Sequence, residues 1–284
     1  MSLLLSNVPA FVGTASQESA FLAPRRIRSL SLRLVGAVGP SGRVAEDGLR
    51  RGSGVGGSLA HTDEFAATPR SDRKNHLEER PKGDIMGKVR SSATMSLDGY
   101  IAFDNNMPGP LFDWYEAGDI EVTTATPELT FHVTPQSAEY WHQAIESAGA
   151  LVVGRTLFDV TDGWGGRHPI DLPVVVVTHN VPTEWVEQHP DAPFTFVTEG
   201  VSAAVAKAKE IAGDKDVDVA AGTMATQALE LGLLDEITVE LAPVVLGHGR
   251  PYFGPLGIDP VLLDDPTTVI QSNRALHLVY PVRR

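Results

Sequence analysis

The 284-residue chain contains no cysteine. That excludes disulfides, zinc–thiolate sites and thiol nucleophiles. It fits a reducing compartment, and the protein is expected to be cytoplasmic. Long hydrophobic runs are missing too. Pro173-Val-Val-Val-Val177 is typical of those present, far below the roughly 20 residues of a membrane span, so no membrane association is expected. Positive charge is scarce: 23 Lys+Arg stand against 36 Asp+Glu, a formal net charge of −13. A balance of that sign argues against a nucleic-acid partner. Histidines are present but scattered. His132, His142, His168 and His179 have no spacing that one helix or hairpin would gather around an ion, so no metal is expected. Gly163-Trp-Gly-Gly166 lacks the lysine that a P-loop needs.

The charge is unevenly spread. Residues 1–85 are net positive, and residues 86–284 carry the whole acidic excess. The first segment is rich in Gly, Ser, Arg and Ala, with Arg50-Arg-Gly-Ser-Gly-Val-Gly-Gly-Ser58 at its centre. Such a stretch buries too little apolar surface to offset its backbone entropy. Its arginines at 25, 26 and 28 follow the apolar Met1-Ser-Leu-Leu-Leu-Ser6, the wrong order for a secretory signal. An arginine-bearing transit peptide is the alternative. Residues 1–85 are read as a disordered extension or an over-long reading of the gene, and 86–284 as the folded domain.

From Lys88 the chain alternates strand and helix patterns. Apolar strand segments fall at 88–95, 149–153, 173–178, 194–198, 216–220, 236–245 and 275–281, with helical patterns at 135–148, 201–212 and 223–232. Strands that are apolar along their whole length are buried on both faces. The expected architecture is therefore α/β, a mostly parallel central sheet with helices on both faces. After Leu234 no helical pattern of useful length follows. Segments 236–245 and 275–281 are expected to be antiparallel or edge additions, and the Pro-rich stretch 104–134 a long functional loop.

Two strand ends draw attention. Leu151-Val-Val-Gly154 runs into Arg155, and Val217-Asp-Val-Ala-Ala221 runs into Gly222-Thr223 before a helix. A strand that opens a helix through glycine presents main-chain N–H groups to a phosphate. Gly154-Arg155 alone also fits a turn glycine and a surface arginine. The pair together favours a ligand beyond the carboxyl ends of the strands. Thr178-His179-Asn180 ends another strand, as hydrogen-bonding partners for a nucleotide or as a turn and cap. Met95-Ser-Leu-Asp-Gly-Tyr-Ile-Ala102 holds Asp98 at a turn, and Asp113-Trp114 lies in the long loop. A carboxylate against an aromatic wall is partly desolvated and its pKa rises. Asp98 and Asp113 are the two candidate catalytic acids; on that ground Asp113 is favoured as the substrate-binding acid and Asp98 as a turn residue that sets the loop.

Taken in order, Met95-Ser-Leu-Asp-Gly-Tyr-Ile-Ala102, Val-Val-Gly-Arg155, Val-Val-Val-Thr-His179, Ala-Ala-Gly-Thr223 and Pro-Val-Val-Leu-Gly-His-Gly249 resemble the dihydrofolate reductase-like family. That family includes the C-terminal reductase domain of the bifunctional riboflavin-biosynthesis deaminase/reductase. The resemblance covers about 88–281. It implies a three-layer dihydrofolate reductase-like fold with an antiparallel C-terminal strand. It also implies NADPH as cofactor, hydride transfer to a pteridine- or ribosylaminopyrimidine-type small molecule, and a homodimer. Carried over by position, Gly154 and Arg155 resemble its phosphate-binding Gly-Arg, with Thr156 one place before the family's threonine, where this chain has Leu157; Thr178 and His179 resemble its adenosine-phosphate strand end. Ala221, Gly222 and Thr223 match its pyrophosphate turn, and Ile101 and Ala102 its main-chain contact to the nicotinamide. Ala221 stands where the family has the first of two glycines. The zinc deaminase of the bifunctional enzyme needs cysteines this chain lacks. Two other functions remain open: a nucleotide- or metabolite-binding protein without turnover on the same fold, and a reductase of an unrelated small carbonyl.

Overall fold

The computed structural model describes residues 87–126 and 129–284, so the expectations for 1–85 lie outside the described residues. The chain enters through β1 (Val89–Met95) and β2 (Tyr100–Ala102), then a short hairpin of β3 (Ile120–Thr123) and β4 (Thr130–Val133). Helix α1 (Pro135–Ser147) leads into β5 (Ala148–Gly154), α2 (Arg155–Thr161) and β6 (Val174–Val177). There follow α3 (Thr183–Gln188), β7 (Phe194–Val197), α4 (Val201–Ala212), β8 (Asp216–Ala220) and α5 (Thr223–Glu230). The chain closes with β9 (Glu236–Leu241), β10 (Arg250–Pro251), β11 (Thr268–Ser272) and β12 (Ala275–Pro281).

Eight strands form one sheet in the order β11-β12-β9-β1-β8-β5-β6-β7. From β9 to β7 every pairing is parallel, and β12 runs antiparallel to both of its neighbours. The α/β class, the mostly parallel sheet and the antiparallel C-terminal strand are as the sequence predicts. Two expectations are corrected. Segment 236–241 is no edge addition; it pairs in parallel with β1 and lies inside the sheet. The edge beyond 275–281 is covered by β11, whose half-exposed alternation is too weak to stand out in sequence. The second correction concerns 104–134, which holds a 3-10 turn at Gly109–Glu116 and the β3–β4 hairpin. Its strands are four residues each, too short to show a period.

The sheet divides two unlike layers. On one face Val152, Val175, Val217 and Val219 pack against α4 and α5 through Ala204, Val205, Ala208, Ala225 and Ala228. The alanines let α4 settle close: a Cβ on Gly149 would stand 2.7 Å from that of Ala212. On the other face Leu151, Val153, Val174 and Val176 meet Phe158 of α2 and Trp185 of α3. Further along the same face, Trp141 of α1 packs with Trp114, Tyr115, Phe131 and Val133.

Under α1 the sheet is polar. Arg90 faces Asp218 across the β1–β8 register, and both are almost fully buried. Its Nε donates to Asp218 Oδ1 at 2.6 Å and Nη2 to Oδ2 at 3.2 Å. Nη1 reaches Asp216 and Ser147 Oγ, and Nη2 also reaches the Ala144 carbonyl. Burial works against the arginine's charge, but the two carboxylates outweigh it and hold its pKa above the ordinary value. Removing one partner of such a pair strands a buried charge, at a cost of about 3–5 kcal/mol, whereas replacing both with apolar groups is nearly neutral. Arg90→Met is therefore expected to lower unfolding free energy by about 3–5 kcal/mol in urea titrations, and Arg90→Met/Asp218→Leu to recover most of it. A double variant as unstable as the single one would show that the five hydrogen bonds, and not the stranded charge, carry the effect.

Candidate functional site

A cleft of about 640 Å³ opens beyond the carboxyl ends of β5, β6, β7 and β8, with Ser92, Ala93 and Thr94 of β1 at its floor. All ten residues predicted to bind a cofactor line it: Ile101, Ala102, Gly154, Arg155, Thr156, Thr178, His179, Ala221, Gly222 and Thr223. They come from β2, the β5–α2 junction, the turn after β6 and the β8–α5 turn, and only the fold brings them together.

Each strand end places its groups for a local reason. β5 stops at Gly154, where a Cβ would stand 3.4 Å from the Met224 side chain. Arg155 then starts α2. Its Nε donates to Asp159 one turn along at 2.6 Å, and Nη1 to the Asn180 carbonyl at 2.9 Å and Thr178 Oγ1 at 3.4 Å. Thr178 Oγ1 itself donates to the Asn180 carbonyl at 2.8 Å, which folds the β6 end into a turn. The two alternatives for Thr178-His179-Asn180 are thus compatible: the residues form a turn, and they line the cleft.

The β8–α5 turn needs glycine at 222, whose φ of +80° is left-handed. The Gly222 N–H is already given to the Tyr252 carbonyl at 2.8 Å. The donors this turn leaves toward a ligand are the first helical N–H groups of α5, at Thr223 and Met224, which have no intrahelical acceptor. Gly200, at the start of α4, also lines the cleft. Two helix N-termini therefore add their positive ends to the Arg155 guanidinium.

Phe112, Leu157 and Val160 give the cleft apolar walls, and Asn106 and Arg250 complete its lining. Sequence reading missed these. Arg250 directly follows the Pro243–Gly249 motif, but a two-residue strand carries no period to mark it.

Neither predicted carboxylate lines the cleft. Asp98 accepts from the Leu246 and Gly247 N–H groups at 3.1 and 2.7 Å. Its hydrogen bond with Ser96, together with those backbone donors, lowers its pKa from 3.8 to about 2. It clamps the turn after β1 to the loop after β9 and stands outside the cleft lining. Asp113 is corrected. In the tight 3-10 turn Trp114 goes into the core, 1% exposed, and Asp113 faces out, its side chain 54% exposed and 3.4 Å from Arg274. The expected desolvation is absent because the aromatic wall lies on the opposite side of the turn. Among the described residues no Asp or Glu lines the cleft at all, and its titratable groups are Arg155, Arg250 and His179. No group of three or more His, Asp or Glu among the described residues could hold a metal ion, and no helix there is long and apolar enough to cross a membrane.

The Asp98 clamp has a pH signature. Its folded pKa is depressed, so its contribution is present above pH 3.8 and is lost as pH falls through about 2. Asp98→Ala is expected to lower the protection factors of the Leu246 and Gly247 amides at neutral pH, as protonation of Asp98 does in the parent protein once rates are corrected for the intrinsic pH dependence of exchange. Unchanged exchange at both amides would remove the clamp.

Comparison with known proteins comes to the same architecture. A search of curated proteins gave no match. Among solved structures, a protein named for riboflavin biosynthesis from Shewanella sp. PV-4 superposes with a TM-score of 0.54 at 19% identity, over 69% of this chain and 99% of that one. Dihydrofolate reductase from Enterococcus faecalis gives 0.43 at 15% identity, over 70% and 98%. RibD from Acinetobacter baumannii gives 0.44 at 16%, over 70% and 58%. The first of these supports the fold. The family model of the RibD C-terminal domain matches residues 87–274, two-thirds of the chain, and the protein belongs to that family.

Proposed function

We infer that the protein is an NADPH-dependent reductase that delivers hydride to a pteridine- or ribosylaminopyrimidine-type substrate. The observation that carries this reading is the charge of the cleft. Two helix N-termini and Arg155 converge on its strand-end half, and no carboxylate lines it. Such a surface favours a polyanion, and a phosphorylated dinucleotide is one that this family and this fold make apt. Bound there, the nicotinamide would supply the hydride, while the protein supplies orientation and electrostatics.

Roles follow from position. Arg155 is held at Nε and Nη1, which leaves Nη2 for a phosphate oxygen. The N–H groups of Thr223 and Met224 would donate to a pyrophosphate. Ile101 and Ala102 would offer main chain to the nicotinamide. The apolar Phe112, Leu157 and Val160 of the lining would hold a planar ring and exclude water. With Asp98 and Asp113 outside the lining, the proton that accompanies hydride reaches the substrate from water or from a cleft hydroxyl.

The absence of a lining carboxylate also favours a second reading, a nucleotide-binding protein that does not turn over. A titration settles the choice. NADPH should bind and be oxidised in the presence of one member of a panel of pterins and ribitylated pyrimidines. Binding without oxidation across the panel selects the second reading, and no binding defeats both.

The 2′-phosphate of NADPH distinguishes it from NADH. A charge-assisted hydrogen bond from Arg155 is worth on the order of 1.5–3 kcal/mol, about one to two decades in affinity. Arg155→Ala is expected to weaken NADPH by that factor and leave NADH nearly unchanged in calorimetric titrations. Equal loss for both cofactors would assign Arg155 to the shared pyrophosphate or to the fold.

A further inference from the structure

We propose that Arg250 forms a second oxyanion site in the lining of the cleft, separate from that of Arg155. Among the described residues there are seven arginines, and six of them pair with a carboxylate: Arg90, Arg155, Arg167, Arg274, Arg283 and Arg284. Arg250 does not. Its Nε donates to Asn106 Oδ1 at 3.0 Å and one Nη2 hydrogen to the Asp104 carbonyl at 3.2 Å. Both acceptors are neutral, so they orient the guanidinium without cancelling its charge. The acid nearest in sequence to these contacts, the Asp104 carboxylate, is taken by His248 at 2.9 Å. Arg250 therefore keeps a full positive charge and the remaining Nη hydrogens, in a cleft that offers no counter-ion.

The backbone is built to put it there. Arg250 pairs with Ala102 in the two-stranded β10–β2 ribbon. The preceding Gly249 has φ +146°, and any side chain at that position would overlap the Ala102 carbonyl. Asn106, which holds Nε, takes the left-handed conformation at φ 65°, an uncommon choice outside glycine that asparagine tolerates best. Two irregular backbone positions thus flank one preoriented cation. A planar guanidinium with two of its five donors fixed still presents a fork to an oxyanion.

The occupant is a phosphate or carboxylate oxygen of a molecule in this cleft. It comes from the dinucleotide's pyrophosphate or from an acidic group of the substrate, and this part of the inference rests on the reductase reading. The test uses inorganic pyrophosphate as probe, by calorimetry on the full chain, with and without saturating NADPH. Arg250→Gln should weaken pyrophosphate at least ~10-fold, the effect of losing one charge-assisted contact. Arg250→Lys should recover part of the loss, and both variants should keep the parent melting temperature. If NADPH displaces the probe, and Arg250→Gln weakens NADPH and NADH alike, the oxyanion belongs to the cofactor. If the probe binds the NADPH-saturated protein through Arg250, it stands for the substrate's acid. Pyrophosphate affinity equal in parent and Arg250→Gln, in both conditions, overturns the site. Arg250-dependent pyrophosphate binding without any NADPH binding would keep the site and sink the reductase reading instead.

Discussion

Five N–H groups of one buried arginine find five acceptors, and the geometry of the polar face depends on that match. Arg90 ties β1 to β8 through Asp218 and Asp216, and ties both strands to the last turn of α1 through Ala144 and Ser147. A cation at a helix C-terminus is itself favourable. With α1 pinned, Trp141 is fixed against Trp114 at 5.5 Å between ring centroids. Trp114 in turn donates from Nε1 to Thr94 Oγ1 at 3.3 Å, and Thr94 is part of the cleft floor. The position of Phe112 in the cleft wall, two residues before Trp114, follows from the same chain of contacts.

The two faces of the sheet carry different burdens. The α4–α5 face is small, apolar and close-packed, and it needs only volume to match. The α1 face is threaded with hydrogen bonds. Tyr140 donates to Glu240 at 3.0 Å, and a run of hydroxyls links Thr134, Ser272 and Ser137 to His277 Nε2. Apolar contacts tolerate small slips; these polar pairs do not, since each buried group left without its partner costs about 1–3 kcal/mol. The polar face thereby fixes the register of β11 and β12 against α1. The dry face lets α5 present its first turn to the cleft at a set distance from β5.

Much of this was legible in the residues. Runs such as Val174-Val-Val-Val177 announce burial on both sides, and a glycine between strand and helix announces a main-chain binding turn. Those two signals located the strand ends that frame the cleft, because each is local. What escaped was written in short or irregular pieces. β10 has two residues, β3 and β4 four each, and β11 exposes alternate side chains. Asp113 shows the limit from the other side. The neighbouring tryptophan suggested desolvation, but at about three residues per turn adjacent side chains diverge, and burying Trp114 turns Asp113 outward. Arg250 could not be recognised from sequence at all. Its significance lies in the absence of a carboxylate around it, which only three dimensions reveal.

The antiparallel β12 has a consequence for the order in which the molecule is made. It lies between β9 and β11, and its far end is tied back to the start of β9 by the Val282 N–H on the Asp235 carbonyl and by Arg284 on the Asp235 carboxylate. Both neighbours leave the ribosome before it. Until residues 275–281 emerge, β9 is an open edge, with unpaired backbone groups and a glutamate awaiting cover. Open edges of that kind recruit other chains. The nascent protein is thus exposed to misassembly in the interval before residues 275–281 emerge, after its ligand-binding turns already exist, and a chaperone that shields strand edges would act on that interval.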